Sequence, residues 1–227
     1  MKKKTSIDVT GTVRLLTVIL VSDENLKDLC LQGEERFGAV RSRLYALTAP
    51  WRRSFVEFVA DDVLSRNPRS VLDIGCGTCD ILVQMRSNEI ELYGIDPSPH
   101  MLELAEKKLR GSIHAATELS KVHLSPGSCR LIPFDRKFDT IFSSTSFHHW
   151  KNREESITHI LARLNENGEF AIYEYNREAL PFLQKLILGR HTLSADEVRE
   201  LSFDGYEKTI EKSGLYLAVK FKKSSLE

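Results

Sequence analysis

Two hydrophobic periods alternate along the chain from Ser54 onward. The segment SFVEFVADDVLSRN repeats apolar residues every four positions from Phe55 to Val63, which predicts a helix capped by Ser54. Short apolar runs predict buried strands, with KVHL as the more ambiguous candidate for the third. These runs are SVLDIG (70–75), IELYGID (90–96), KVHL (121–124), KFDTIFSS (137–144), EFAIYEY (169–175) and LYLAVKFK (215–222).

Helical segments separate the predicted strands. They are DILVQM (80–85), SPHMLELAEKKLR (98–110), REESITHILARLNENG (153–168) and SFDGYEKTIEKSG (202–214). Strands and helices that alternate in this way favour an α/β fold, a Rossmann-like doubly wound and mostly parallel sheet with helices on both faces. Ligands of such sheets bind where loops leave the carboxyl ends of the strands.

The first 53 residues have a different pattern. TVRLLTVILV (12–21) is rich in β-branched residues and predicts a strand, whereas ENLKDLCL (24–31) and RSRLYAL (41–47) predict short helices. We interpret residues 1–53 as an N-terminal strand and a helical lid, and residues 54–227 as the core of a single domain.

Composition is that of a soluble globular protein. The 32 lysines and arginines balance 32 aspartates and glutamates, so no overall field attracts nucleic acid or an anionic membrane. Four cysteines in 227 residues do not form a disulfide framework, and we therefore expect a reduced, cytoplasmic setting. The apolar run from Leu15 to Val21 is far shorter than a membrane span.

A glycine turn, VLDIGCGTCD, ends the first core strand. Gly75 and Gly77 let the backbone turn tightly and approach a ligand, and the helix beyond offers free N–H groups. Cys76 and Cys79 form a C-x-x-C pair, so a metal or redox site is an alternative, although the chain has no second such pair to complete a metal site. The dinucleotide fingerprint G-x-G-x-x-G is incomplete because Asp80 occupies its last position.

The segment VLDIGCG resembles motif I of the class I S-adenosylmethionine-dependent methyltransferases. YGIDPSPHMLELAEKKL resembles the second motif of that family, and GSCRLIPFDRKFDTIFSSTSFHHW resembles the pattern of the menaquinone/ubiquinone-methyltransferase-like members. LARLNENGEFAIYE follows in the right order, and the resemblance covers roughly residues 54–217. It implies an S-adenosylmethionine cofactor, S-adenosylhomocysteine as product, and methyl transfer to a small-molecule acceptor.

The resemblance also assigns cofactor contacts. Asp96 is expected to accept hydrogen bonds from both ribose hydroxyls, a role that suits a carboxylate. Asp73 is expected to face the ammonium end of the cofactor, and Met101 to pack against the adenine. The predicted cofactor-binding residues are Asp73, Gly75, Cys76, Gly77, Asp96, Pro97, Met101, Ser128, Cys129 and Ser143, and no metal ligand is predicted.

The sequence departs from the family pattern in three places. Cys79 occupies a position where the family usually has a third glycine, and we expect it to pack there as a small apolar side chain. Ser128 replaces the aspartate of the adenine loop, which predicts a weaker, uncharged hydrogen bond. Only one strand is evident after Gly214, whereas the family typically ends in an antiparallel pair, so we hypothesise that the strand at 12–21 joins the sheet in place of the missing one.

Candidate residues for chemistry lie in two loops and in the lid. His148 and His149 are the candidate catalytic bases, since histidine exchanges a proton near neutral pH. Tyr45, Trp150 and Glu174 are predicted to contact the acceptor. Two alternatives stay open, namely a cofactor-binding or regulatory protein without activity and a methyltransferase acting on RNA or protein. The pattern specifies neither the acceptor nor the oligomeric state.

Overall fold

The computed structural model describes residues 17–18, 29–30, 37–87, 89–111, 121–188 and 192–224. Within these ranges the strands are β1 (Thr17–Val18), β2 (Ser70–Ile74), β3 (Glu91–Asp96), β4 (Val122–Pro126), β5 (Phe138–Ser144), β6 (Leu164–Tyr175), β7 (Tyr206–Ser213) and β8 (Tyr216–Lys223). They form one sheet in the order β1-β4-β3-β2-β5-β6-β8-β7. Neighbours from β1 to β6 run parallel, and β8 runs antiparallel to both β6 and β7.

Helices cover both faces of the sheet. The described helices are α1 (Ala39–Leu47), α2 (Arg53–Leu64), α3 (Asp80–Gln84), α4 (Pro99–Gly111), α5 (Arg153–Leu161), α6 (Phe182–Leu188) and α7 (Ala195–Arg199), with 3-10 turns at Ala49–Arg52 and Phe147–His149. Apolar residues of α2, α3 and α4 pack in one core cluster, and those of α5 and α7 pack in the other. The α/β, doubly wound, mostly parallel fold class is thereby confirmed.

The strand order brings the predicted site together. Successive strands run from β2 through β3 to β4 in one direction, and from β5 to β6 in the other, so the order reverses between β2 and β5. Because these strands are parallel, the loops after β2, β3, β4 and β5 all leave the same edge of the sheet. Such a reversal is where α/β sheets open a crevice for ligands.

The end of the chain corrects two predictions. The segment 202–214, predicted to be a helix, contains strand β7, which pairs with β8 along its whole length in a hairpin. Gly214, at a φ of +55°, lies in the turn between the two strands. The sheet therefore has its antiparallel last pair and lacks no strand. The N-terminal strand does join the sheet, but its described part, β1, pairs with β4 at the opposite edge.

Two helix boundaries also differ from prediction. Helix α2 begins at Arg53, so Ser54 lies inside it, and its Oγ accepts a hydrogen bond from the Tyr216 hydroxyl at 2.9 Å. Helix α5 ends at Leu161 instead of near Gly168, because strand β6 already begins at Leu164.

The N-terminal predictions are tested only in part. The helix expected at 41–47 is α1, and it packs beside α4. The helix expected at 24–31 and most of the strand expected at 12–21 lie outside the described residues. Among the helices that the structure describes, none combines the length and the hydrophobicity of a membrane span.

Candidate active site

A cleft opens at the carboxyl edge of the sheet, with about 740 Å³ of space that is partly open to solvent. Ten residues predicted for the site line it together: Tyr45, Gly75, Gly77, Asp96, Pro97, Met101, Ser128, Cys129, His149 and Trp150. Five others are not among its lining residues, namely Asp73, Cys76, Ser143, His148 and Glu174. Two of these five contact residues that line the cleft: Ser143 contacts Ser146, and His148 contacts His149.

The glycine turn forms the floor of the cleft. Gly75 has a φ of +80°, and its N–H and that of Cys76 both donate to the carbonyl of Ile95, at 2.8 and 3.0 Å. A Cβ at Gly75 would lie 2.6 Å from Oγ of Ser146. The positive φ and the close approach to Ser146 therefore both favour glycine at position 75, as the resemblance to a ligand-binding motif implies.

Asp96 links the loop after β2 to the loop after β3, beneath the cleft. Its Oδ2 accepts from the backbone N–H of Gly77 at 3.0 Å, and its Oδ1 accepts from that of Ser98 at 2.8 Å. The side chain is almost fully buried yet lines the cleft. Since a carboxylate has about four lone-pair sites, it retains acceptor capacity toward a ligand.

Asp73 lies one strand away in the interior. It is 1% exposed, and its Oδ1 has no hydrogen-bond partner in the described structure. Burial, together with the nearby Asp96 carboxylate, raises the pKa of Asp73 well above its ordinary value. An orphaned buried acceptor is costly, so its presence beside the glycine turn points to a ligand-binding function.

The paired thiols of Cys76 and Cys79 contact each other in the core. Burial, and then the neighbouring Cys79 thiol, raises the pKa of Cys76 well above its ordinary value, which disfavours the thiolate that binds metals. Within the described ranges, no group of three or more His, Cys, Asp or Glu side chains is arranged to hold a metal ion. Cys79 adopts a left-handed φ of +58°, which explains why glycine is usual at this position.

The loop after β4 contributes a tight turn to the cleft. The N–H and the carbonyl of Ser128 pair with Leu131, at 3.0 and 3.1 Å. The Ser128 hydroxyl accepts from the N–H of Arg130 at 3.3 Å. Ser128 and Cys129 are both buried and line the cleft, so the turn forms without the usual aspartate.

The lid is tied to the core through Arg52. Its guanidinium lies over the Tyr45 ring, 4.1 Å from the centroid, and donates to the Tyr45 hydroxyl at 3.0 Å. It also pairs with Asp80 at 2.9 Å, and Asp80 in turn contacts Lys108 of α4. Asp80 is thus the anchor of the lid, a function that its fingerprint position in the sequence did not suggest.

The two histidines differ in their access to the cleft. His149 lines the cleft, whereas the ring of His148 is nearly buried, with Nδ1 at 3.1 and 3.2 Å from the two carboxylate oxygens of Glu174. The His148 and His149 rings lie 3.9 Å apart between centroids. Glu174 is fully buried and contacts His148 instead of the cleft, so its role as an acceptor contact stays a prediction without support from its position.

Ser143 does not line the cleft, but the three residues that follow it do: Ser144, Thr145 and Ser146. Ser143 is fully buried, with its Oγ 2.7 Å from Oγ of Ser146. None of these three was predicted for the site, although Ser144 ends a predicted strand and Thr145 and Ser146 directly follow it. Phe37 was not predicted either; it lines the cleft, and its carbonyl accepts a hydrogen bond from Oγ of Ser98.

The chain is similar to known methyltransferases in sequence. Residues 72–170 match the family described as a methyltransferase domain. A demethylmenaquinone methyltransferase from Thermotoga maritima is 29% identical over 133 residues, which are 57% of this chain and 52% of that protein. A tRNA U34 carboxymethyltransferase from Psychromonas ingrahamii is 35% identical over 105 residues, 46% of this chain and 31% of that protein. The chain thus spans about half of the first relative's length and about a third of the second's.

The fold gives the same result. A structure from Methanococcus maripaludis, assigned to the S-adenosylmethionine-dependent methyltransferases, superposes with a TM-score of 0.68 at 16% identity and covers 87% of this chain and 99% of its own. At that identity the likeness concerns the fold, which agrees with the domain matched in the sequence. Residues 72–170 thus match a methyltransferase domain, and the sheet has the fold of a structure assigned to the S-adenosylmethionine-dependent methyltransferases.

Proposed function

We propose that this protein transfers the methyl group of S-adenosylmethionine to a small-molecule acceptor bound in the cleft. The observation that carries the proposal is the Asp96 carboxylate, which lines the cleft beside the glycine turn and next to Met101. A buried carboxylate at a strand end, with acceptor capacity to spare, suits a ribose diol. Gly77 and Met101 border the same space.

The residues present fit this cofactor. Asp96 would hold the ribose hydroxyls, and Pro97 and Met101 would lie along the base. Gly75 presents backbone to the cleft, since a Cβ there would meet the Ser146 side chain, and the Oδ1 of Asp73, without a partner among the described residues, lies in the strand that leads into the turn. When bound, the cofactor would supply a methyl group on a cationic sulfur, and the rest of the cofactor would leave as the neutral thioether.

The chain itself supplies position and a base. Holding a nucleophile in line with the methyl carbon contributes most of the acceleration in such a transfer. His149 lines the cleft and is the candidate to accept a proton from the acceptor. Glu174 and His148 support the loop that carries His149.

The acceptor class follows from the walls of the cleft. Leu29, Phe37, Tyr45 and Trp150 give it an apolar and aromatic lining, which suits a small or apolar molecule. The relative from Thermotoga maritima is named for such an acceptor, a demethylmenaquinone. The net charge of zero gives no general attraction to RNA, which the other relative is named for.

Calorimetric titration with S-adenosylhomocysteine tests the cofactor site. We expect the native chain to bind it, and Asp96→Asn to bind about ten- to a hundredfold more weakly, because a charge-assisted pair of hydrogen bonds is reduced. Asp204→Asn, at an exposed turn position, is the matched control and should bind like the native chain. Absence of heat with the native chain would favour a protein that retains the fold without the cofactor.

Release of S-adenosylhomocysteine tests the transfer itself. We would supply S-adenosylmethionine with a panel of quinols, phenols and amines, and separately with bulk tRNA. Turnover with a small molecule supports the proposal. Turnover confined to tRNA would reject the small-molecule acceptor while leaving the cofactor site intact.

A further inference from the structure

An apolar stripe runs along the outer face of the lid. Val40, Leu44 and Leu47 of α1 and Trp51 of the following turn expose between 59 and 83% of their surface. A surface helix ordinarily turns polar residues toward water. Four large apolar side chains on one face therefore mark an interaction surface, which we name the lid stripe.

The opposite face of α1 is used by the fold. Ser42 is fully buried and Tyr45 lines the cleft. At about 100° per residue, these inward positions lie across the helix from Val40, Leu44 and Leu47. The lid stripe is thus a second face of the helix and is not part of the core.

Arginines flank the lid stripe. At the same helical spacing Arg41 and Arg43 fall on its two sides, and both are exposed. Arg53 is exposed as well, and its 2.8 Å pair with Glu57 is open to solvent. Helix α1 itself contains Arg41 and Arg43 and no acidic residue, so the helix is positive although the whole chain is neutral.

We propose that the lid stripe docks on the surface of an anionic phospholipid bilayer. Interfacial helices combine a tryptophan and aliphatic residues on one face with arginines beside them, as α1 and Trp51 do. Each arginine near an anionic leaflet strengthens binding by about fivefold. The charge favours a bilayer over a second copy of the chain, because the arginines beside the lid stripes of two copies would repel each other.

Docking goes beyond the proposed methyl transfer and does not depend on it. Tyr45 lies on the inner face of the same helix, so contact with a bilayer places the lid of the cleft at the lipid surface. An apolar acceptor dissolved in the bilayer then reaches the cleft without crossing bulk water.

Vesicle co-sedimentation of the full chain tests the proposal. The probes are phosphatidylcholine vesicles with and without about 30 mol% phosphatidylglycerol, at roughly 0.15 M salt. We expect binding to the anionic vesicles and at least about fivefold weaker binding to the neutral ones. The variant Leu44→Ser/Leu47→Ser/Trp51→Ser should lower the partition coefficient at least about tenfold, because it removes most of the apolar face.

Helix α6 offers a matched control. Phe182, Leu183 and Leu186 expose between 69 and 79% of their surface, so a triple serine variant there removes a similar apolar area. We expect that variant to bind vesicles like the native chain, because α6 contains one lysine and no arginine to attract an anionic surface. Circular dichroism and a melting curve establish that both triple variants fold.

Tryptophan fluorescence reports on the docking residue itself. Trp51 is 83% exposed and Trp150 is 9% exposed, so vesicle binding should shift the emission of Trp51 to the blue while that of Trp150 stays constant. Trp51→Phe should abolish the shift.

Three results would overturn the proposal. One is no binding to either kind of vesicle, and another is an equal loss of binding from the α1 and α6 variants. The third is a dimer in sedimentation velocity that the α1 variant converts to a monomer, which would assign the stripe to self-association. None of these results affects the titration with S-adenosylhomocysteine, so this proposal and the proposed function fail separately.

Discussion

Gly75 and Gly205 share a left-handed backbone conformation but differ in their surroundings. Their φ angles are +80° and +77°. A Cβ at Gly75 would meet the side chain of Ser146 at 2.6 and 2.9 Å, whereas a Cβ at Gly205 would meet nothing within 4 Å. The pair therefore separates the cost of the backbone conformation from the cost of the close approach.

We expect Gly205→Ala to lower the free energy of unfolding by about 1 kcal/mol, the cost of a left-handed conformation for an alanine. Gly75→Ala should lower it by about 3 kcal/mol, because crowding adds to that conformational cost. Urea denaturation measures both. Gly75→Ala should also weaken S-adenosylhomocysteine binding, and equal losses of stability in the two variants would show that the close approach to Ser146 costs nothing.

Cys79 illustrates how a residue can be understood only with its backbone angle. From the sequence, cysteine in place of a glycine was expected to pack as a small apolar side chain. The structure confirms full burial but adds the φ of +58°, a strained conformation for a residue with a Cβ. The spacing of apolar residues along the sequence does not predict that φ angle.

At the scale of elements, a buried contact ties the loop after β5 to the end of β6. The Glu174 carboxylate accepts from the backbone N–H of His148 at 3.4 Å and lies 3.1 Å from its ring Nδ1. Glu174 is fully buried, so the contact is shielded from water. The contact therefore holds the short helical turn that presents His149 to the cleft.

Glu174→Gln should lower the free energy of unfolding by about 1–3 kcal/mol, because a buried hydrogen-bonded carboxylate is replaced by an amide that pairs less well. It should also lower methyl transfer while leaving S-adenosylhomocysteine affinity unchanged, since the loop carries acceptor-side residues. Glu178→Gln is the control, as its pair with Lys212 is solvent-exposed and contributes little. Native-like stability and turnover in Glu174→Gln would contradict the positioning role.

The hairpin at the end of the chain shows where local pattern misleads at this scale. The segment YEKTIEKS was expected to continue a helix, yet it forms the edge strand β7. Its charged residues suit both an exposed helix and an edge strand, which proteins commonly protect with lysines. Gly214, in the two-residue turn Gly214-Leu215, was the signal for a hairpin because it supplies the positive φ.

At the scale of the whole molecule, the half-buried carboxylate of Asp139, at the sheet edge opposite the cleft, links the sheet to acid stability. Burial alone would raise the pKa of Asp139, but hydrogen bonds from Asn165 and from the N–H groups of Arg69 and Ser70 lower it below its ordinary value. Because the folded pKa is the lower one, this stabilisation is fully present above the unfolded pKa. It is lost as the pH falls through the folded pKa.

We expect the free energy of unfolding to fall as the pH is lowered below about 4, the ordinary pKa of aspartate. Asp139→Asn should be about 1–3 kcal/mol less stable at neutral pH, and its difference from the native chain should shrink in acid. Urea denaturation across the pH range measures both, with Asp204→Asn as the exposed control. A constant difference at every pH would show that ionisation of Asp139 is not involved.

The sequence by itself determined the core strands β2 to β6, the glycine turn, and the placing of Asp96 at a strand end. These features are local, because hydrophobic period and the left-handed preference of glycine act over a few residues. Only the tertiary structure decided that Glu174 contacts His148, that Asp80 anchors Arg52, and that β1 lies at the edge beside β4. Those contacts join residues far apart in the chain. Whether the apolar face of a helix is buried or exposed, as in the lid stripe, likewise depends on which distant segment packs against it.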